Sequence, residues 1–196
     1  MDTSEAPMPG LPSWRTATLA SDATQGQGVV QPGLRPLDPA SRIAGPALVV
    51  QASRDDNQAV VSALAAPPTP GVVLVVSGHA ASRTATIGDI MAADLKAHGV
   101  IGLITDGLVR DGSAIRKLGF PVWCRGTTPT APHRASPGRV GGSVDIGGAV
   151  VRDGDIVIAD DDGVVIWPQE DIAGLVAKAH ARRISDEERL AKIRAR

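Results

Sequence analysis

Three residues in the middle of the chain have the chemistry to work together: Asp89, and the adjacent pair Arg110 and Asp111, separated from it by the twenty residues 90 to 109. An aspartate is a hard oxygen donor of the kind magnesium takes, and that ion keeps several waters while using only one or two protein carboxylates. A guanidinium presents a planar fork of donors that matches a carboxylate. Both parts stand where a helix is expected to begin, so the amides of Ile90 and Met91 lack partners inside the helix and can take an anion. The set suits a small carboxylated substrate with a divalent metal. Asp111 would ligate the ion, Asp89 would orient its waters, and Arg110 with the Ile90 and Met91 amides would hold the substrate carboxylate. The same residues have a plainer reading, because an aspartate at a helix start is most often a structural cap.

For these residues to meet, both helix starts must lie at one edge of a sheet. Val72 to Val76 and Val100 to Thr105 read as short buried strands bounded by glycine. Between them, residues 87 to 99 read as an amphipathic helix with Ile87, Ile90, Met91 and Leu95 on one face and Gly99 at its stop. A strand-helix-strand unit of this length implies parallel pairing with a right-handed crossover. A second short helix, Asp111 to Leu118, precedes a strand from Pro121 to Arg125. Neighbouring strands then place both helix starts beyond their carboxyl ends, where α/β proteins bind ligands.

The rest of the chain frames that unit. Upstream come a helix from Thr16 to Ala23, a loop from Gln25 to Pro36, a strand from Ala44 to Val50, and a helix capped by Asp55 or Asp56 that runs to about Ala65 before Pro67 and Pro68. Downstream the texture is strands alone, Ser143 to Val151, Asp155 to Asp160 and Gly163 to Trp167, with Asp153-Gly154 and Asp162-Gly163 as hairpin turns. A long amphipathic helix over about 170 to 196 turns Ile172, Leu175, Val176 and Ala179 to the core. Residues 1 to 13, acidic and proline-rich, read as a disordered leader. Residues 14 to 196 read as a single domain.

Composition narrows the partners. With no tyrosine, one phenylalanine and a net charge of -1, the chain has neither stacking platforms nor an electrostatic pull toward phosphates, so no direct nucleic-acid partner is expected. Cys124 stands alone, no apolar run approaches a membrane span, and a cytoplasmic protein without membrane contact is expected. Lys96, Lys117, Lys178 and Lys192 sit on polar helices, which disfavours a Schiff-base mechanism. His79, His98, His133 and His180 lack metal-ligand spacing and read as surface or packing residues. Cys124 reads as a buried small hydrophobe. Asp160-Asp161-Asp162-Gly163 suggests a calcium loop at first sight, but the remaining ligand positions do not follow and a hairpin turn explains it. No phosphate loop or dinucleotide fingerprint occurs.

At these residues the chain resembles the RraA-like family, which includes 4-hydroxy-4-methyl-2-oxoglutarate/4-carboxy-4-hydroxy-2-oxoadipate aldolases and the regulator of ribonuclease E activity A. The resemblance runs from about Thr16 to Ala179. It is carried by Ser21-Asp22-Ala23, Leu34-Arg35-Pro36, Ala44-Gly45-Pro46-Ala47, Asp56-Asn57, Gly88-Asp89, residues 99 to 111, Gly119-Phe120-Pro121-Val122-Trp123, Gly154-Asp155-Ile156-Val157 and residues 159 to 165. It implies an α/β fold, a swivelling αββα sandwich like the phosphohistidine domain, with mixed sheets and a long C-terminal helix. It further implies a homotrimer or homohexamer with sites at subunit interfaces.

By the same resemblance, Asp111 binds Mg2+ or Mn2+, Arg110 and Asp89 are catalytic, and Gly88, Ile90, Met91 and Arg110 hold the substrate. Glu187 answers to a C-terminal glutamate supplied by a neighbouring subunit. The implied reaction cleaves a 4-hydroxy-2-oxo acid to pyruvate and a second carbonyl product, and oxaloacetate decarboxylation passes through the same enolate. The partner is then a small 2-oxo acid. Two segments depart from the family pattern: Ala114 stands where the aldolases often carry an acidic residue, and Ser77-Gly78-His79-Ala80 stands for Asp-Gly-Gly-Gly. The competing expectation is a non-catalytic regulator that binds a ribonuclease; in such regulators the Arg-Asp pair is typically broken, whereas Arg110-Asp111 is intact.

Overall fold

The computed structural model describes residues 11–13, 15–31, 33–65 and 69–195. The leader expected over residues 1 to 13 falls, up to residue 10, outside them, as do Pro67 and Pro68.

Among the described residues, short and mostly aliphatic runs form ten strands: β1 (Arg35–Pro36), β2 (Ile43–Gln51), β3 (Val73–Ser77), β4 (Gly102–Thr105), β5 (Val122–Cys124), β6 (Arg139–Val140), β7 (Ser143–Ile146), β8 (Ala149–Arg152), β9 (Ile156–Ala159) and β10 (Val164–Trp167). Five α-helices accompany them: α1 (Ala17–Thr24), α2 (Gln58–Ala65), α3 (Asp89–Ala97), α4 (Gly112–Leu118) and α5 (Ile172–Arg194). The strands β2, β3, β4 and β5 pair in parallel, as the helical crossovers between them require. The nine-residue β2 serves two partners: Ala47–Gln51 pairs in parallel with β3, while Ile43–Pro46 pairs antiparallel with β9, which turns back into β10.

Alternation along these strands sorts the side chains into layers. Leu74, Val76, Leu103 and Val122 face a layer of α2, α3 and α4, where Val60, Leu95 and Ile115 are fully buried. Val73, Val75, Ile104 and Trp123 point the other way, against Val144, Ile146 and Val151 of the β7–β8 hairpin and Val157 and Ile166 of β9 and β10. The outer face of β9–β10, through Ile158, Val165 and Trp167, packs on α1 and α5. The result is helices, two sheet layers, then helices, as the expected αββα sandwich requires, with the long α5 closing it. Both buried tryptophans bridge layers with their indole donors, Trp123 to the Asp160 carbonyl at 2.8 Å and Trp167 to the Ala20 carbonyl at 3.0 Å.

Three local expectations need correcting. The strand expected over Ser143 to Val151 is a hairpin, because Gly147 (φ 56) and Gly148 (φ 79) supply the positive φ of a tight turn inside the run. Asp153-Gly154 is therefore no hairpin between paired strands; it carries the chain from β8 to β9, and the Asp153 carboxylate takes the amides of Val49 and Gly142. Ile90, expected on the apolar face of α3, is 80% exposed. Ala92 and Leu95 bury that helix instead, because it begins only at Asp89 and turns Ile90 outward.

Candidate active site

Asp111 occupies the N-cap position of α4 in the left-handed region (φ 56, ψ 34), and its side chain makes no capping bond. Its carbonyl receives the α4 amides of Ala114 (2.9 Å) and Ile115 (3.1 Å), so the helix is begun without drawing on the carboxylate. That carboxylate lies over Gly88. A Cβ at Gly88 would stand 2.6 Å from Asp111 Oδ2, 2.8 Å from Arg110 Nε and 3.0 Å from Arg110 Cγ. Gly88 has an ordinary extended backbone (φ -121, ψ -169), so the glycine provides space here rather than conformational freedom.

Arg110 is anchored by its backbone amide, which donates to the Ile87 carbonyl at 3.0 Å. Its Nε lies 3.2 Å from Asp111 Oδ2, with the two side chains 37% and 42% exposed. That Nε is buried and has no aligned hydrogen-bond acceptor, so the pair is an open one with donor capacity to spare. Asp89 is the first residue of α3, and Gly88 is its N-cap. Asp89 Oδ1 accepts the amide of Ile90 at 2.8 Å; a substrate carboxylate reaching for that amide must displace it. The first cross-boundary helix bond runs from the Ala92 amide to the Gly88 carbonyl at 3.0 Å, and the amides of the turn before it are those a helix leaves unsatisfied. Gly88, Asp89, Ile90, Met91, Arg110 and Asp111 are thus brought to one place.

Glu187 is elsewhere in the fold. It pairs with Arg183 on α5, whose packing partner is α1 on the opposite outer layer. Ala114 is half-buried and adds no donor atom beyond its amide. The triad Asp160, Asp161 and Asp162 brings carboxylate oxygens within 4.8 Å of one another. Asp160 is nonetheless committed to the amides of Ala17 (2.8 Å) and Asp162 (3.1 Å), as a turn and helix-start anchor. Burial pushes the Cys124 thiol up, in keeping with a packing role. A cleft of about 660 Å³ opens between the end of α1, β8, β10 and α5, with Arg152, Asp171 and Lys178 on its walls. None of the residues around Gly88 lines it.

Acidic residues that frame the site escaped the sequence reading. Asp106, the residue directly after β4, accepts the amides of Gly78 (3.0 Å) and His79 (2.8 Å), tying the loop after β3 to the end of β4. Asp56, expected as a possible helix cap, receives the amide of Gln58 (2.8 Å), the first residue of α2, and also those of Ala135 (2.7 Å) and Ser136 (3.1 Å) from a distant loop. Burial pushes its carboxyl up, but the three amides outweigh burial and hold it below the usual value of 3.8. The signal available for Asp106 was an acidic residue directly after an aliphatic strand; its partners, and the Ala135 and Ser136 partners of Asp56, lie too far along the chain to be read.

The sign of the Asp56 effect on stability follows from its lowered folded value. Its contribution is complete above the unfolded-state value and is lost as pH falls through the lower folded one. Asp56→Ala is expected to destabilise by about 2 kcal/mol at neutral pH. It should also flatten the fall in stability below about pH 4. Urea melts at neutral and acid pH check both; equal losses at the two pH values would contradict the assignment.

The model of the RraA-like family, described as Aldolase/RraA, matches residues 16–166. A protein of Halalkalibacterium halodurans, provisionally named 4-hydroxy-4-methyl-2-oxoglutarate aldolase, is 32% identical over 188 residues, covering 95% of this chain and 89% of the relative. The crystal structure of Streptomyces coelicolor RraAS2, an unusual member of the RNase ES inhibitor RraA protein family, superposes with a TM-score of 0.79 at 29% identity, covering 92% and 93% of the two chains. The RNA-processing inhibitor RraA from Thermus thermophilis superposes with a TM-score of 0.68 at 26% identity, covering 79% of this chain and 93% of that one.

Proposed function

The chain belongs to the RraA-like family, and on that premise we propose that it is a divalent-metal-dependent lyase cleaving a 4-hydroxy-2-oxo acid to pyruvate and a second carbonyl product, with oxaloacetate decarboxylation as a side activity. The observation that carries this reading is the Asp111 carboxylate, unspent on its own helix and gathered with Arg110 over Gly88.

The donor set fits a hard divalent cation. Asp111 offers oxygen ligands at 42% exposure, with solvent available for the waters that Mg2+ or Mn2+ retains. Bound there, the ion supplies Lewis-acid polarisation of the 2-oxo group. The protein's own groups do the rest. With Asp111 engaged, the guanidinium of Arg110 is released to hold the substrate carboxylate and to offset the negative charge left on the pyruvate fragment as the C–C bond breaks. The amides at the start of α3 hold the same carboxylate. Asp89, displaced from the Ile90 amide that its Oδ1 accepts in the free protein, offers its carboxylate to orient a water or carry a proton.

The test is pyruvate release from oxaloacetate and from 4-hydroxy-4-methyl-2-oxoglutarate, with added Mg2+ or Mn2+ and with chelator. Turnover that persists in chelator defeats the metal-dependent reading. Arg110→Lys keeps the charge but loses the fork, and is expected to lower kcat/KM about 10- to 100-fold. A change under threefold would remove Arg110 from the site.

We further propose a homotrimer or homohexamer. The reading is supported by the open site, by Ile90 standing 80% exposed beside it, and by the remoteness of Glu187 within one chain. A cytoplasmic setting is proposed as well; among the described residues no helix is long and apolar enough to cross a membrane. The second reading, a non-catalytic regulator of a ribonuclease, draws support from the likeness to the two RraA structures. Co-purification with a ribonuclease, together with absence of turnover, would favour it.

A further inference from the structure

Three loops border the site at the carboxyl ends of β2, β3 and β4: residues 52 to 57, 78 to 88 and 106 to 111. One fully buried side chain, His79, reaches all three. Its Nε2 lies 3.0 Å from the Ser53 carbonyl oxygen and 2.9 Å from that of Asp56. Its Nδ1 lies 2.7 Å from Thr86 Oγ1. Thr86 Oγ1 in turn lies 3.2 Å from Thr105 Oγ1, which accepts the Gly107 amide at 3.1 Å. The Gly107 backbone is pressed against the ring's root: a Cβ there would stand 2.6 Å from the His79 Cβ.

The two carbonyl partners fix the Nε2 hydrogen, and for a neutral ring the rest of the series follows from it. Carbonyl oxygens only accept, so Nε2 carries the hydrogen, and in the neutral ring Nδ1 must accept from the Thr86 hydroxyl. Thr86 then accepts from Thr105, and Thr105 accepts from Gly107. The series is fully satisfied and runs in one direction, which makes its geometry stiff. It ends where the two site segments run side by side. Thr86 donates its amide to the Leu108 carbonyl at 2.7 Å, and Arg110 donates its own to the Ile87 carbonyl at 3.0 Å. Those two bonds set Gly88 beneath Arg110 and Asp111.

We propose that His79, donating its Nε2–H to the β2–α2 loop carbonyls, is a positioning residue: by linking Thr86 to that loop and to the Gly107 turn, it holds residues 84 to 88 in register with 107 to 111. Its effect on turnover rests on the lyase reading above; its effect on the loops does not. Asparagine can replace the acceptor and glutamine the donor, but neither supplies both at the two distances.

The experiment compares H79N, H79Q and T86V, the double variant H79N/T86V, and V144A, a destabilised control in the core layer between the sheets. Hydrogen exchange over 84–90 and 106–112 is read alongside kcat/KM for pyruvate formation, at a temperature where each variant is folded. The His79 and Thr86 variants are expected to speed exchange in both segments about tenfold or more and to lower kcat/KM about tenfold or more. The double variant is expected to be no worse than the worse single one, because the two residues act through one linkage. V144A is expected to leave both readouts within twofold at a comparable loss of thermal midpoint. If H79N does not fold, T86V, which removes only the hydroxyl, gives the same two readouts. Unchanged exchange in both segments overturns the proposal, and so does a wild-type kcat/KM in an active enzyme. Should the wild-type chain release no pyruvate from any 2-oxo acid, the lyase reading fails and the exchange result alone decides the role of His79.

Discussion

Asp111→Asn is expected to lower metal-dependent kcat/KM about 10³-fold while changing stability by less than about 1 kcal/mol. Asparagine is the substitution that separates the two effects. It tolerates the left-handed backbone that Asp111 adopts at φ 56. It loses no capping bond, because the carboxylate makes none to α4. The ion pair with Arg110 that disappears joins two side chains that are 37% and 42% exposed, so it contributes little to folding. What is removed is the negative charge that a divalent ion requires. Asp111→Ala is a less clean probe, since alanine in the left-handed region costs about 1–2 kcal/mol by itself. Calorimetric titration with Mg2+ or Mn2+, beside the pyruvate assay and a thermal melt, reads all three consequences. An Asp111→Asn protein that keeps its metal-dependent turnover would take Asp111 out of the site.

Gly88→Ala should produce the opposite of the usual pattern for a glycine replacement: activity lost, stability kept. The backbone there suits alanine, and restricting the unfolded chain adds about 0.4–1 kcal/mol. The new methyl group, however, would stand 2.6 Å from Asp111 Oδ2 and 2.8 Å from Arg110 Nε. Oδ2 ends its side chain, whereas Nε lies midway along Arg110, whose Cγ would stand 3.0 Å away; both side chains are partly exposed, so they can turn toward solvent without unfolding anything. Displacing two site groups by about an ångström is expected to lower kcat/KM about 10²-fold or more. Thermal melts and turnover on the same preparation test it. Retention of more than a fifth of the parent's kcat/KM would show that convergence over Gly88 is not what the reaction uses.

Much of this was legible in the chain because it rests on local rules. Val72 to Val76 has no polar alternation and therefore had to be a strand buried on both faces, which is the mark of a parallel layer covered twice. Gly99 and Gly119 end helices because each can take a positive φ, and both do. Asp89 and the Arg110-Asp111 pair could be recognised as partners because each opens a helix following a strand of one parallel unit. The misreadings have a common origin. Ser143 to Val151 could be a single strand or a hairpin by its aliphatic content; a two-glycine turn and the surface beneath it made it a hairpin. Ile90 fits an apolar helical face by spacing, yet the helix presents Ala92 and Leu95 to the sheet.

The chain by itself determined which residues can be strand, helix or turn, and which side chains carry carboxylate or guanidinium chemistry, because those properties depend on neighbours a few positions away. Only the tertiary structure decided that β2 is shared between two sheets, that Asp56 and Asp106 hold loops distant from them in the sequence, and that Asp111 turns from its helix to lie over Gly88. Those outcomes depend on contacts between segments from about twenty to more than a hundred residues apart, which come into being only when burial of the aliphatic layers brings the segments together.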